Sequence, residues 1–385
     1  MAQQNLRIAV IEPVGGHGGM DYYDFGLCGG LAKTGVDVVL HTCDETVIPA
    51  VAGFEVRHTY RGIYGKSAAW RRGVRFVRGS LRAIFSAVLE KRKIVHFHFF
   101  RVGSLALMNV LLARFMCRKV VITAHDVESF VSSLEVPFMS RMAYRLAHAV
   151  VAHNQLSRAE LVGRLNVSPD KIAVSPQGNY LHMLAPMPKP EEAKARLEIP
   201  ADAKVLLFFG QIKDVKGLDL LVQAMSDVLK KHPEALLLIA GKLWKTDFSL
   251  YQNKIDELAI ADSCRKHIRY IKDDEVPLYY ASAELVVLPY RHIYQSGVVL
   301  MAMSYGKAVL VSDIPGMTEI VSKGVNGFVF HQGDVGDLAI QINAALDEDD
   351  VRAHLAQQGY LHVRDKYDWL AIGESTGKCY ETVLA

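Results

Sequence analysis

Short apolar runs punctuated by glycine and proline alternate with helix-length segments along this chain, and the alternation stops once and restarts. LRIAVIE (6–12), VDVVLHT (36–42), IVHFHFF (94–100), KVVITAH (119–125) and AVVAHN (149–154) each have the length and continuous apolar character of a strand buried on both faces. Helix-compatible segments such as Asp21–Lys33 lie between them, and parallel pairing needs crossovers of that length. From Leu184 to Lys204 the pattern gives way to APMPKPEEAKARLEIPADAK, rich in proline and charge. KVLLFFG (204–210), ALLLIAG (235–241), HIRYI (267–271), ELVVLPY (284–290) and KAVLVSD (307–313) then start a second series. The expectation is an α/β protein of two Rossmann-like, doubly wound domains, 1–184 and 204–366, joined by a linker at 185–203 and facing a cleft where ligands bind.

Composition agrees with a folded chain too long for one core: 385 residues, half of them hydrophobic and 22% charged. Cys28, Cys43, Cys117, Cys264 and Cys379 are scattered, without CxxC spacing, so small buried thiols are expected rather than a disulfide or zinc framework. No apolar run reaches the length of a bilayer span, and the N-terminus runs directly into a strand. A cytoplasmic protein without a signal peptide is therefore expected. The net charge of +3 hides a local imbalance. Between Arg57 and Lys93 there are eleven Lys and Arg against the single acid Glu90, interleaved with Tyr60, Tyr64, Trp70, Phe76, Leu81 and Phe85. Such a stretch, with Arg71, Arg72, Arg75 and Arg78 at its centre, can lie on an anionic membrane surface, contact nucleic acid, or be a solvated helix face.

Four short constellations can carry chemistry. Tyr290–Ile320 reads as a strand end, a loop, an apolar helix opened by Ser296-Gly297 and closed by Gly306, and a new strand. The N–H groups at such a helix start suit a diphosphate, although an ordinary crossover has the same outline. Gly15-Gly16-His17-Gly18-Gly19 follows the first strand but lacks the third glycine of GxGxxG, and no acid ends the second strand. It is either a tight turn or a place where substrate meets backbone. Gly210-Gln211-Ile212-Lys213-Asp214-Val215-Lys216-Gly217 brings two lysines off a strand end beside a glycine, where they can act as point charges for a diphosphate. His125-Asp126 ends an apolar strand, where a histidine can bind a substrate hydroxyl or move a proton; His96 and His98 within IVHFHFF read instead as satisfied core groups. No spacing resembles a metal cluster or a nucleophile elbow.

In this order, and over essentially the whole chain, these pieces resemble a retaining-type glycosyltransferase of the GT-B fold, similar to glycosyltransferase family 4. PVGGHGGMDYYDFGLCGGLAKTGVDVVLHT resembles the family's glycine loop, helix and second strand. VVITAHD resembles the strand ending in its active-site histidine, FFGQIKDVKGLDLLVQA its donor-phosphate segment, and IPGMTEIVSKGVNGFVF its C-terminal signature. The resemblance implies that Gly16 approaches donor phosphate or acceptor, that His125 contacts the transferred sugar, and that Lys216 binds phosphate beside Gly210. Ser296, Gly297 and Val298 would cradle the diphosphate through backbone amides. It further implies that residues 367–385, opened by Asp368-Trp369, form a helix crossing back onto the N-terminal domain. Two departures stand out. Gln211 occupies the place of the family's arginine, which leaves Lys213 as its substitute. The two glutamates of the family motif fall on Ile293 and Met301, with Gln295-Ser296-Gly297 in that loop, as in a divergent branch.

The function implied is transfer of a sugar from a UDP- or GDP-sugar to a hydroxyl of a lipid-linked glycan or glycolipid in polysaccharide biosynthesis. The enzyme is expected to sit peripherally on the inner face of the membrane, with no metal, no other cofactor and no nucleic-acid partner. A nucleotide-sugar epimerase of the same architecture and a sugar-nucleotide-binding protein without turnover are the rival readings.

Overall fold

The computed structural model describes residues 6–17, 19–49, 53–126, 137–245 and 247–385; Gly18 of the glycine loop lies outside them. The chain forms two compact units, one from Met1–Gly178 with Tyr367–Ala385 and the other from Asn179–Lys366. The first unit holds β1 (Arg7–Ile11), β2 (Asp37–Cys43), β3 (Glu55–Tyr60), β4 (Ile94–Phe99), β5 (Lys119–Ala124), β6 (Ala149–Ala152) and β7 (Ile172–Val174). Among the described residues these strands make one sheet in the order β3-β2-β1-β4-β5-β6-β7, and every described pair is parallel. β1, β4 and β5 are buried almost throughout, which is why they read as unbroken apolar runs.

The second unit holds β8 (Lys204–Phe209), β9 (Ala235–Ala240), β10 (Cys264–His267), β11 (Leu285–Leu288), β12 (Ala308–Ser312) and β13 (Phe328–Phe330), in the order β10-β9-β8-β11-β12-β13, again parallel. Its core packs the helices Leu218–Lys231 and Val335–Asp347 against the sheet through Leu221, Met225, Val228, Leu338 and Ile342. Each sheet reverses its strand order once, at β1/β4 and at β8/β11. At such a point the helices leave on opposite faces and open a crevice at the strand C-termini.

Three expectations need correction. The third strand of the second unit is Cys264–His267, not HIRYI, because Cys264 to His267 lie in register with Leu237 to Ala240. Residues 185–203 are not a free linker but part of the second unit. Helix Pro190–Arg196 buries Ala193, and the Lys194 ammonium reaches Glu284 at 2.9 Å and the Ala203 carbonyl at 2.8 Å. Cys117 is exposed, and Cys379 is half-buried.

The final helix, Trp369–Leu384, belongs to the first unit and packs on helix Met20–Lys33. Asp368 caps it, accepting from the Leu370 and Ala371 N–H groups at 2.9 and 3.1 Å. The glycines that weaken helix Met20–Lys33 as a helix make this packing possible. A Cβ on Gly26 would lie 2.1 Å from the Trp369 ring, and one on Gly30 would lie 2.0 Å from the Trp369 carbonyl oxygen.

Candidate active site

In the first unit the groups at the C-terminal ends of β1, β4, β5 and β6 gather into one buried cluster. Glu12 follows β1 with its side chain fully buried and accepts from the Val14 and Gly15 N–H groups at 2.7 and 2.5 Å. This pins the glycine loop. Gly15 has φ +58°, and a Cβ there would fall 2.0 Å from Thr46 Oγ1, so the turn admits no side chain. Gly16 lies against the Glu45 carbonyl, which a Cβ would approach to 2.9 Å. Glu12 faces Asp24 of helix Met20–Lys33; burial raises both carboxyls, and for Glu12 the Asp24 charge adds to it. Asp24 Oδ1 in turn meets His98 Nδ1 at 2.7 Å.

His98 is held neutral by burial, its pKa lowered to about 3. His96, one pleat back, bonds Tyr380 Oη at 2.7 Å and Thr123 Oγ1 at 2.8 Å, a satisfied core histidine. His125 is buried one residue past β5, in ring contact with Tyr23 (4.6 Å), Phe100 (4.9 Å) and His98 (5.6 Å). Burial first, then the neighbouring imidazoles, hold it well below the usual histidine range. His153 is one residue past β6. Because Ala124 and Ala152 are register partners, the two histidines project side by side, His153 Nε2 to His125 Nδ1 3.1 Å.

In the second unit Gly210, Lys216 and the Ser296–Val298 turn converge at the β8/β11 reversal. Gly210 leaves β8 with φ +104°; a Cβ on it would lie 3.3 Å from both Lys216 Nζ and Val298 Cγ2. That spacing places the Lys216 ammonium beside the first turn of helix Gly297–Ser304. Ser296 caps the helix through its Oγ, which accepts from Val299 N at 3.4 Å, and Gln295 directly precedes it. The first-turn N–H groups of a helix have no carbonyl four residues back, so this end presents donors and a positive dipole.

Burial lowers the half-buried Lys216 to a pKa of about 8. Its ammonium lies 4.9 Å from the Tyr290 ring centroid, and no carboxylate pairs with it among the described residues. Lys213 is turned against Trp244, 5.3 Å from its ring. Arg291 fixes the turn that carries Lys216. It bonds both Asp219 oxygens at 2.8 and 2.5 Å and the Asp214 carbonyl at 2.9 Å, while its own N–H donates to the Val215 carbonyl at 2.8 Å. Ile293 and Met301, where the family glutamates would stand, are half-buried apolar side chains.

The basic segment resolves into strand β3, a connecting loop and helix Ala69–Leu89. Two of its cations are tied to partners within the unit. Arg57 pairs with Glu55 and Glu90; Arg92 is buried and bonds the Ile8 and Asp37 carbonyls at 3.0 Å. The helix exposes Trp70, Arg71, Val74, Arg75, Arg78, Leu81, Arg82, Phe85 and Leu89. At about 100° per residue these fall within one arc of roughly 140°, apolar along one edge and basic along the other. Phe76 does not join them; it packs on Tyr60 at 5.3 Å. Arg75 is tethered to the Gly62 carbonyl at 2.8 Å and Arg72 to that of Gly65 at 3.2 Å. No helix among the described residues is long and apolar enough to cross a membrane.

Residues 189–362 match the family of glycosyl transferases group 1, and residues 17–179 match Glycosyltransferase Family 4. The chain belongs to these glycosyltransferases. Its fold is GT-B, and it is a transferase enzyme. Among curated relatives it is similar to D-inositol 3-phosphate glycosyltransferase of Nocardioides sp., 24% identical with 96% of this chain and 86% of that protein aligned. The enzyme of that name from Mycolicibacterium smegmatis is 26% identical over 91% of this chain and 85% of its own length. With the spore coat protein SA of Bacillus subtilis it shares 24% identity over 50% of this chain and 52% of that protein. Among solved structures this glycosyltransferase is similar to sucrose-phosphate synthase of Thermosynechococcus elongatus, with a TM-score of 0.77 at 20% identity, covering 98% of this chain and 99% of that one. Anabaena HepE in complex with UDP-glucose gives a TM-score of 0.75 at 17% identity, covering 98% and 99%.

The glycosyltransferase sequence pointed to Gly16, His125, Gly210, Lys216 and the Ser296–Val298 turn; Glu12, Asp24, His153 and Arg291 come only from the structure. His153 had a visible signal. TAHD and VAHN repeat one pattern, an apolar strand ending in Ala-His, on two successive strands.

Proposed function

We propose that the enzyme transfers a sugar from a nucleoside diphosphate-sugar to a hydroxyl of a lipid-linked glycan or glycolipid presented at an anionic membrane surface. The observation that carries the donor half is the Lys216 ammonium beside Gly210 and the Val298 turn, an unpaired cation among the described residues at a helix start. A diphosphate there meets Lys216 and first-turn N–H groups, so charge growing on the departing nucleoside diphosphate is stabilised where it forms. The positive groups of the protein serve in this role, and turnover is expected to persist in EDTA. His125 faces the sugar in this reading and accepts from one of its hydroxyls. The UDP-glucose in the HepE complex supports a UDP-sugar before other donors.

The acceptor half rests on the outward face of helix Ala69–Leu89, whose Trp70, Phe85 and Leu89 can enter the interface beside Arg71, Arg75, Arg78 and Arg82. A second reading, a soluble phosphorylated polyol as acceptor, is favoured by the relatives named for D-inositol 3-phosphate. Donor consumption measured with no acceptor, with anionic vesicles carrying glycolipid, and with inositol phosphate separates the two. Consumption only with the lipid supports the first reading. Consumption only with inositol phosphate replaces it, and isomerised donor without any acceptor identifies an epimerase.

A further inference from the structure

His153 has no part in the reading above, yet its surroundings determine where the protons on His125 sit. Its Nδ1 faces the Ser175 carbonyl oxygen at 3.1 Å. A carbonyl can only accept, so Nδ1 of His153 carries a proton. Ser175 is buried, and its own N–H donates to the Ala152 carbonyl at 2.9 Å, which anchors the residue beside the end of β6. Burial also keeps His153 neutral, its pKa lowered to about 4, so Nε2 bears a lone pair and accepts. The group it faces is His125 Nδ1, at 3.1 Å. That nitrogen must therefore be the donor. With His125 neutral as well, its other nitrogen, Nε2, is an acceptor.

We propose that His153 is a positioning residue that fixes the tautomer of His125, setting Nε2 as the acceptor toward a sugar hydroxyl; the catalytic part rests on His125 facing the sugar. The chain of bonds runs from a backbone carbonyl through two imidazoles on adjacent strands, and each link follows from the one before it. The rings also hold one another in place. Their centroids are 4.8 Å apart, and Tyr23 packs edge-on against both, at 4.6 Å from His125 and 5.2 Å from His153. An isolated neutral imidazole in water favours the opposite tautomer, with its proton on Nε2. A His125 without this partner would then offer a donor where the acceptor is needed.

The test is long-range proton–nitrogen correlation NMR on the full chain labelled with 15N-histidine, with signals assigned by loss in His125→Ala and His153→Gln. In the unsubstituted protein both rings should show a protonated Nδ1 and an unprotonated Nε2. In His153→Leu the His125 pattern should move toward a protonated Nε2, and kcat should fall by about tenfold to a hundredfold with nucleotide affinity unchanged. In His153→Gln the side-chain oxygen can accept from His125 Nδ1, so most of kcat and the original His125 pattern should return. A protonated Nε2 on His125 in the unsubstituted protein would overturn the proposal. An unchanged His125 pattern in folded His153→Leu would overturn it too. Full turnover in His125→Ala would instead overturn the sugar-facing reading and the catalytic part with it, whatever the tautomer.

Discussion

A cation without a carboxylate partner among the described residues, in a polar but half-buried position, is the residue-scale feature from which most of the chemistry follows. Lys216 is desolvated, which lowers its pKa to about 8, so it is charged below that pH and loses charge above it. Donor affinity, measured by calorimetric titration at a series of pH values, should therefore weaken as pH rises through about 8 and stay level below it. A flat profile to pH 9.5 would place the charge elsewhere. The imidazole cluster makes a second prediction, for stability. Burial depresses His96, His98, His125 and His153 in the fold, so the unfolded chain takes up protons near pH 6.5 that the folded chain refuses. Stability present above that pH is lost as the pH falls. Glu12 and Asp24 act with the opposite sign, because burial raises them and the fold binds their protons first. Four imidazoles oppose two carboxyls, so the midpoint of urea unfolding should fall between about pH 6.5 and 4.5. A rise over that interval would mean the cluster is not buried as described.

At the scale of elements, the site is a set of strand ends held by side chains from elsewhere in the same unit. Arg291, from the loop after β11, clamps the turn after β8 through Asp219 and the Asp214 and Val215 carbonyls. Removing it in Arg291→Ala should loosen Lys216 without disturbing the core. A cost of about 1 kcal/mol in donor binding, roughly a fivefold rise in Kd, is expected, with an unfolding midpoint little changed. Undiminished affinity would show that the turn holds its shape alone. This clamp also marks where the sequence stopped being legible. Continuous apolar runs such as LLLIA and VVIT announce buried parallel strands by themselves, because both their faces are covered. β3, with the polar run EVRHTY, and β13, only three residues long, carry no such pattern. Glycine turns and His125 at its strand end are legible for the same local reason. Arg291 with Asp219, or Glu12 with Asp24, are long-range pairs whose meaning exists only once the strands have been ordered. Phe76 shows the converse: its spacing fitted an outward stripe, but Tyr60 of β3 claims it.

At the scale of the whole molecule, a net charge of +3 says little, and the distribution of charge says more. The outward face of helix Ala69–Leu89 should attach the protein reversibly to anionic vesicles, each basic group adding about 1 kcal/mol that salt screens. Replacing Arg71, Arg72, Arg75 and Arg78 with glutamine should abolish co-sedimentation at low salt and leave donor affinity intact, since the Lys216 turn belongs to the other unit. If the unsubstituted protein does not sediment with such vesicles, the face is solvated and the acceptor is soluble. The central claim, that this glycosyltransferase holds a nucleoside diphosphate-sugar at Lys216 and the Ser296–Val298 turn, is tested most directly by calorimetric titration. UDP- and GDP-sugars would be titrated into the unsubstituted protein and Lys216→Ala. One nucleotide should bind the unsubstituted protein, and the loss of one charge-assisted phosphate contact should cost about 1.5–3 kcal/mol, one to two decades in Kd, in a variant that unfolds at an unchanged midpoint. Equal affinity in the two proteins would contradict the account.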